Sequence, residues 1–244
     1  VEALPAWAQG AFNGFISIGG QASMAVTPAG KVSGKVSAYG VTYAFSAAAY
    51  AGGDATNGFS VRATAKAGGA AYPVTLTVKP AEAPPGLGVA SGHMGGAPQL
   101  FLWRDTWKEA AATLAPYIGY YTATLPGGAE YGSGYLTLTV DKAGKVKAAG
   151  KLADGASVSL GGTLIHDETL RVFAVLYAAP SSYKGGIIAG LAQFVLPEDG
   201  PVFLKPLNGT VFPWENYNPQ ATADYAAGGF TRRLGGFTGG WYSK

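Results

Sequence analysis

The 244-residue chain holds 38 glycines, 12% aromatic residues and 13% charged residues, about half the charged share of an ordinary globular domain. Its net charge of +3 comes from 17 Lys and Arg against 14 Asp and Glu, scattered singly, so it lacks the cationic blocks of a nucleic-acid-binding chain. With no cysteine, a disulfide framework, a thiolate metal site and a cysteine nucleophile are excluded together. Abundant glycine beside plentiful aromatic and β-branched residues predicts an ordered, all-β chain with many tight turns. No apolar run reaches the ~20 residues needed to span a bilayer. The opening VEALPAWAQG lacks a charged-then-apolar signal pattern, so the chain is expected to be soluble and a piece of something longer.

In chain order, the first predicted strand opens at GAFNGF, residues 10–15. Met24 and Val26 then alternate with small or polar residues, Pro28-Ala29-Gly30 turns, and Val32, Gly34 and Val36 run back. Period-two alternation around a glycine-containing loop is a hairpin signature. Further strands are read over residues 41–47, 58–65 and 72–78, with a loop at Gly52-Gly53-Asp54. GLGVASG, residues 86–92, superficially looks like a dinucleotide loop, but prolines precede it and HMGGAP follows, where that loop needs a strand and then a helix. Residues 100–114 are predicted as the one helix. Leu100, Trp103, Trp107, Ala110 and Leu114 recur at three- and four-residue spacing between Pro98 and Pro116.

After the helix the pattern returns. AGKV at residues 29–32 recurs at 143–146, and aligning the two pairs Met24 with Leu138 and Val26 with Val140. GYYTATL (119–125) matches GAFNGF. The second hairpin turns at Asp141-Lys142-Ala143-Gly144 and runs to Leu152, and strands follow over 157–165, 170–177 and 186–195. Two extra residues after the second AGKV preserve the in/out phase because their number is even. Residues 206–225 mix Pro, Asn and aromatics in a long loop, and 228–244 are expected to supply one or two closing strands.

The predicted fold is therefore all-β: two duplicated antiparallel barrels or strongly coiled meanders, each of five or six strands, joined by one helix. The boundaries are 1–97, 98–116 and 117–244, and a single fused barrel is the alternative.

Candidate chemistry is sparse. Only His93 and His166 are present, so a multi-histidine metal site is excluded and no cofactor is implied. His166-Asp167-Glu168 places an imidazole beside two carboxylates, but adjacent residues in a turn seldom converge on one point and a polar hairpin tip is the ordinary explanation. Asp105 and Glu109, four apart on the predicted helix, alternate with Arg104 and Lys108 as any solvated face does. Asn208-Gly209-Thr210 matches a glycosylation sequon, but Asn-Gly is more often a turn. Trp214, Tyr217, Trp241 and Tyr242 lie in loop-like or terminal sequence. Exposed, such rings stack on sugars, and PWENYN (213–218) adds hydrogen-bonding partners for hydroxyls. A Trp in a long loop is still more often its anchor against the core.

LPAWAQGAFNGF, the AGKV hairpin, YAFSAAAY (43–50) and the predicted Trp-containing helix leading into a second copy together resemble paired Gly-rich β-domains of very large surface or secreted proteins of gut and environmental bacteria. The resemblance covers most of residues 4–195. It implies an exported or cell-surface module of a longer chain and carries over no catalytic or binding residue. The expected function is a non-enzymatic structural or adhesive module that engages glycans or another cell-surface component, with no nucleic-acid partner and no membrane insertion. The alternatives are a small-ligand carrier inside a barrel and a hydrolase built from His166, Asp167, Glu168, Asp105 and Glu109.

Overall fold

The structure, a computed structural model, describes residues 3–127, 132–209, 212–220, 228–235 and 237–242. The chain divides into two compact units, Val1–Thr106 with Ile165–Leu170, and Trp107–Leu164 with Arg171–Lys244. Each has its own hydrophobic core, so the fused-barrel alternative is set aside.

The first unit holds β1 (Gly10–Ile16), β2 (Gly20–Val26), β3 (Val32–Ala38), β4 (Val41–Ala47), β5 (Gly52–Asp54), β6 (Gly58–Ala67), β7 (Ala70–Pro80), β8 (Gly88–Met94) and β9 (Gln99–Arg104). Neighbours pair antiparallel in the order β4-β3-β2-β1-β9-β8-β7-β6. Contact of β4 with β6 closes eight strands into a barrel, and β5 flanks β6 outside the ring. Alternation drives the closure: Phe12, Met24, Val36, Val61, Leu76 and Leu102 point inward and are at most 3% exposed.

The second unit holds β10 (Gly119–Pro126), β11 (Ser133–Val140), β12 (Lys145–Lys151), β13 (Ser157–His166), β14 (Val172–Ala178), β15 (Ile188–Val195), β16 (Phe203–Pro206), β17 (Phe212–Asn216), β18 (Phe230–Leu234) and β19 (Thr238–Tyr242). Its ring runs β14-β13-β12-β11-β10-β19-β16-β15 and closes by β14 on β15. Among the described residues the two eight-stranded rings therefore follow one cyclic order. The second copy differs by a β17/β18 hairpin inserted between its seventh and eighth strands, which attaches to β15 where Ile188 faces Trp214.

The repeated AGKV makes the same turn in both barrels. Gly30 (φ 83°) and Gly144 (φ 69°) occupy the left-handed region that a side chain disfavours. Gly30 N–H bonds Thr27 O and Gly144 N–H bonds Asp141 O, each at 2.8 to 2.9 Å. Thr27 Oγ1 and Asp141 Oδ1 accept the following lysine's N–H, at 3.1 and 2.9 Å. A short 3-10 turn leads into the first strand of both copies, Ala6–Ala8 and Ala115–Tyr117.

The predicted 100–114 helix is corrected. Residues Gln99–Arg104 form β9, with Leu100 and Leu102 inside the barrel and Trp103 outside, and helix α1 is limited to Ala111–Leu114. LFLW suits a strand whose two faces are both covered, and pairing with β1 and β8 outweighs the local helical spacing. Trp107 follows in a turn, where it is 5% exposed, donates its indole N–H to Lys142 O at 2.6 Å and lies on the second AGKV turn. This ring seals a hairpin of the second barrel. The strand number also rises from the expected five or six to eight: β8 and β9 in the first copy and β16 in the second are additional, while β19 is one of the closing strands expected over 228–244 and completes the second ring.

Candidate functional site

Both barrel interiors are occupied by side chains. Phe12, Ile16, Leu76 and Leu100 are fully buried in the first, and Tyr121, Phe194 and Leu204 in the second. Tyr121 meets Phe194 edge-on at 5.2 Å.

Of the four aromatic candidates, Trp214 is corrected. It is 0% exposed and cannot serve as a platform. Its indole N–H donates to the Tyr183 hydroxyl at 2.9 Å, and that hydroxyl donates to Asp154 Oδ2 at 2.6 Å. Phe230 of β18 packs edge-on against the Trp214 ring at 4.6 Å. Trp214 is the pin of the inserted hairpin, because a buried indole needs both an apolar shell and an acceptor. Tyr217, 46% exposed, sits just past β17, and its hydroxyl donates to Glu215.

Trp241 and Tyr242 lie elsewhere, on β19. Trp241 is 42% exposed, with its ring against Gly119. Tyr242 faces Tyr120 of β10 across the ladder, and the two rings sit 6.2 Å apart at 51°. One step along the strand, Gly240 stands between Thr122 on β10 and Phe203 on β16, and a side chain added at Gly240 would meet no atom within 4 Å. Phe203 and Tyr120 are 40% and 39% exposed. The outer face of β16, β19 and β10 is thus an aromatic patch around a glycine floor, with the Thr122 hydroxyl beside it.

Phe203 and Tyr120 escaped the sequence reading, although a signal existed. In PVFLKP the buried Leu204 forces Phe203 outward, and in GYYTATL the buried Tyr121 does the same for Tyr120.

His166-Asp167-Glu168 is not the exposed polar tip expected. His166 is 7% exposed with Nδ1 unpartnered, and Asp167 is fully buried, its Oδ1 accepting both the N–H and the hydroxyl of Thr169 at 2.9 Å. Burial lowers the His166 pKa below its ordinary value, against the opposing pull of Asp167. Glu168 is exposed and accepts the Trp103 indole N–H at 2.5 Å. Asp167 and Glu168 are spent on fixing this loop.

Asp105 and Glu109 do not share a helix: Asp105 follows β9 and Glu109 lies in the turn before α1. Asn208 adopts φ 51°, ψ 31° and accepts from Arg171, as a turn residue does, and Thr210 lies outside the described residues. Residues 88–92 of the apparent dinucleotide loop belong to β8. Among the described residues, no three His, Asp or Glu side chains gather as metal ligands would, and no helix is long and apolar enough to cross a membrane.

No protein-family model, no curated protein and no solved structure matches this chain.

Proposed function

We propose that the chain is a duplicated, non-enzymatic β-barrel module of an exported or cell-surface protein, and that its second barrel binds carbohydrate on the outer face of β16, β19 and β10. The observation that carries this reading is the Phe203, Tyr242 and Tyr120 cluster around Gly240. Exposed Phe203 and Tyr120 and half-buried Tyr242 beside an open floor suit the flat apolar face of a sugar, and the adjacent threonine and tyrosine hydroxyls suit its hydroxyls. A binding face on regular strands is held more rigidly than one on loops. The engagement of Asp167 by Thr169 and of Glu168 by the Trp103 indole argues against the hydrolase. The packed interiors argue against the carrier, which needs an internal cavity. Alternation with apolar residues inward and Thr, Ser and Lys outward is the reverse of a membrane barrel, which favours a module that works in water. The resemblance to paired surface domains supports export.

Binding of the intact chain to an immobilised glycan panel tests the reading. Tyr242→Ala and Phe203→Ala are expected to abolish the signal, while Tyr217→Ala leaves it unchanged. A blank panel, or loss only with Tyr217→Ala, removes the carbohydrate role from this face.

A further inference from the structure

The aromatic patch is one end of a longer surface. Following the ladder outward from Tyr242, the register passes to Tyr120, then Thr139 on β11, then Lys147 on β12. The parallel row runs from Gly240 through Thr122 and Thr137 to Ala149. A third row carries Tyr135, 52% exposed, beside Lys151. With strands about 4.8 Å apart, Lys147 stands about 14 Å along the surface from Tyr242, the reach of a short oligosaccharide.

Charge on this face has one sign. The strands β16, β19, β10, β11, β12 and β13 contain no Asp or Glu, yet β12 alone carries Lys145, Lys147 and Lys151, and β16 carries Lys205. The chain as a whole is nearly balanced, with 17 basic against 14 acidic residues, so the segregation is local. The acids nearest β12 in sequence, Asp141 and Asp154, sit in the hairpin loops at either end of it and are engaged there, while Glu198 and Asp199 lie exposed in the loop before β16, at the end of the face away from the β12 lysines. Asp141 Oδ1 caps its own turn, and Asp154 holds Tyr183. Lysine ammonium groups fix a carboxylate or sulfate as point charges, and the threonine hydroxyls between them and the rings supply neutral donors and acceptors.

We infer that this face takes an acidic glycan, a chain bearing carboxylate or sulfate groups, laid across the strands with a sugar on the Tyr242/Phe203 patch and its anionic groups at Lys147 and Lys151. This rests on the carbohydrate reading above. A nucleic acid fits less well, because the face has few cations, no arginine and hydroxyls where a dense phosphate backbone would demand charge.

The test is calorimetric titration of the intact chain with acidic oligosaccharides, such as oligogalacturonate and a sulfated glycosaminoglycan fragment, each beside its charge-neutralised counterpart, esterified or desulfated. The acidic forms are expected to bind at least 10-fold tighter at 50 mM salt and to lose most of that margin at 300 mM. The double change Lys147→Gln with Lys151→Gln is expected to weaken acidic binding about 5- to 20-fold, from two exposed ion pairs, and to leave neutral binding unchanged. Lys35→Gln on the first barrel changes neither. Equal, salt-independent binding of both forms overturns the acidic class and leaves the carbohydrate reading standing. Tyr242→Ala without effect on either form, or no binding of any form, overturns both. Lysine-dependent binding of a single-stranded oligonucleotide tighter than any glycan overturns the glycan class.

Discussion

Placing alanine at the two glycines of the repeated turn separates what the copies share from what they do not. Both Gly30 and Gly144 have positive φ, so either change forces an L-residue into the left-handed region at about 1–2 kcal/mol. At Gly30 the new methyl would meet Leu4 Cδ1 at 3.6 Å, which is ordinary contact, and nothing more is lost. At Gly144 it would stand 2.7 Å from Trp107 Cδ2 and 3.0 Å from Cε3, so the indole must shift. That shift strains the 2.6 Å bond from Trp107 Nε1 to Lys142 O, and overpacking with loss of one buried hydrogen bond adds about 2–3 kcal/mol. Gly144→Ala should therefore cost about 3–5 kcal/mol and Gly30→Ala about 1–2 kcal/mol. Because two units need not unfold together, the assay is native-state hydrogen exchange resolved onto β2/β3 and β11/β12. In a Trp107→Ala background the extra cost at Gly144 should vanish. Equal costs at the two glycines, or an excess at Gly144 that survives removal of Trp107, would refute the reasoning.

Other expectations follow from single contacts. Tyr183→Phe strips the acceptor from the buried Trp214 indole and the donor from Asp154, and urea unfolding of the second unit should show a loss of about 1–3 kcal/mol. Glu168→Gln keeps an acceptor for Trp103 and should be near neutral, whereas Glu168→Ala should speed exchange of the Trp103 indole N–H, read by two-dimensional NMR. His166 resists protonation in the fold. As pH falls through its unfolded value of about 6.5 the unfolded chain takes up a proton that the folded chain refuses, and stability declines. The urea midpoint should therefore drop between pH 7 and 5, with a shallower drop in His166→Gln; an unchanged slope would exclude His166 as the cause.

The duplication was legible because its evidence is local and periodic. AGKV with its flanking alternation marks a hairpin wherever it occurs, and the in/out phase of Met24 and Leu138 follows from it. The eighth strand of the first copy was not legible, since LFLWRDTWKEAAATL satisfies a helical spacing and only its pairing with β8 beside it and with β1, far off in sequence, resolves it. Trp214 shows the same limit: burial of a ring in a long loop depends on Tyr183 and Phe230, which sequence cannot bring to it. The candidate site was half visible. Trp241 and Tyr242 stand out as aromatics in terminal sequence, but Tyr120 and Phe203 join Tyr242 only because β10 and β16 flank β19 in the ring. In sequence the lysines of β12 are scattered charge, and they become a one-signed face only when six strands are laid side by side.

The central claim, that the outer face of β16, β19 and β10 binds carbohydrate, is tested most directly by mapping backbone and aromatic NMR shifts of the intact chain during titration with a glycan that it binds. The account predicts saturable shifts at Phe203, Gly240, Tyr242, Tyr120 and Thr122, with Tyr217 and the barrel interiors silent. Shifts centred on Tyr217 and β18, or on inward residues such as Tyr121 and Leu138, would contradict it.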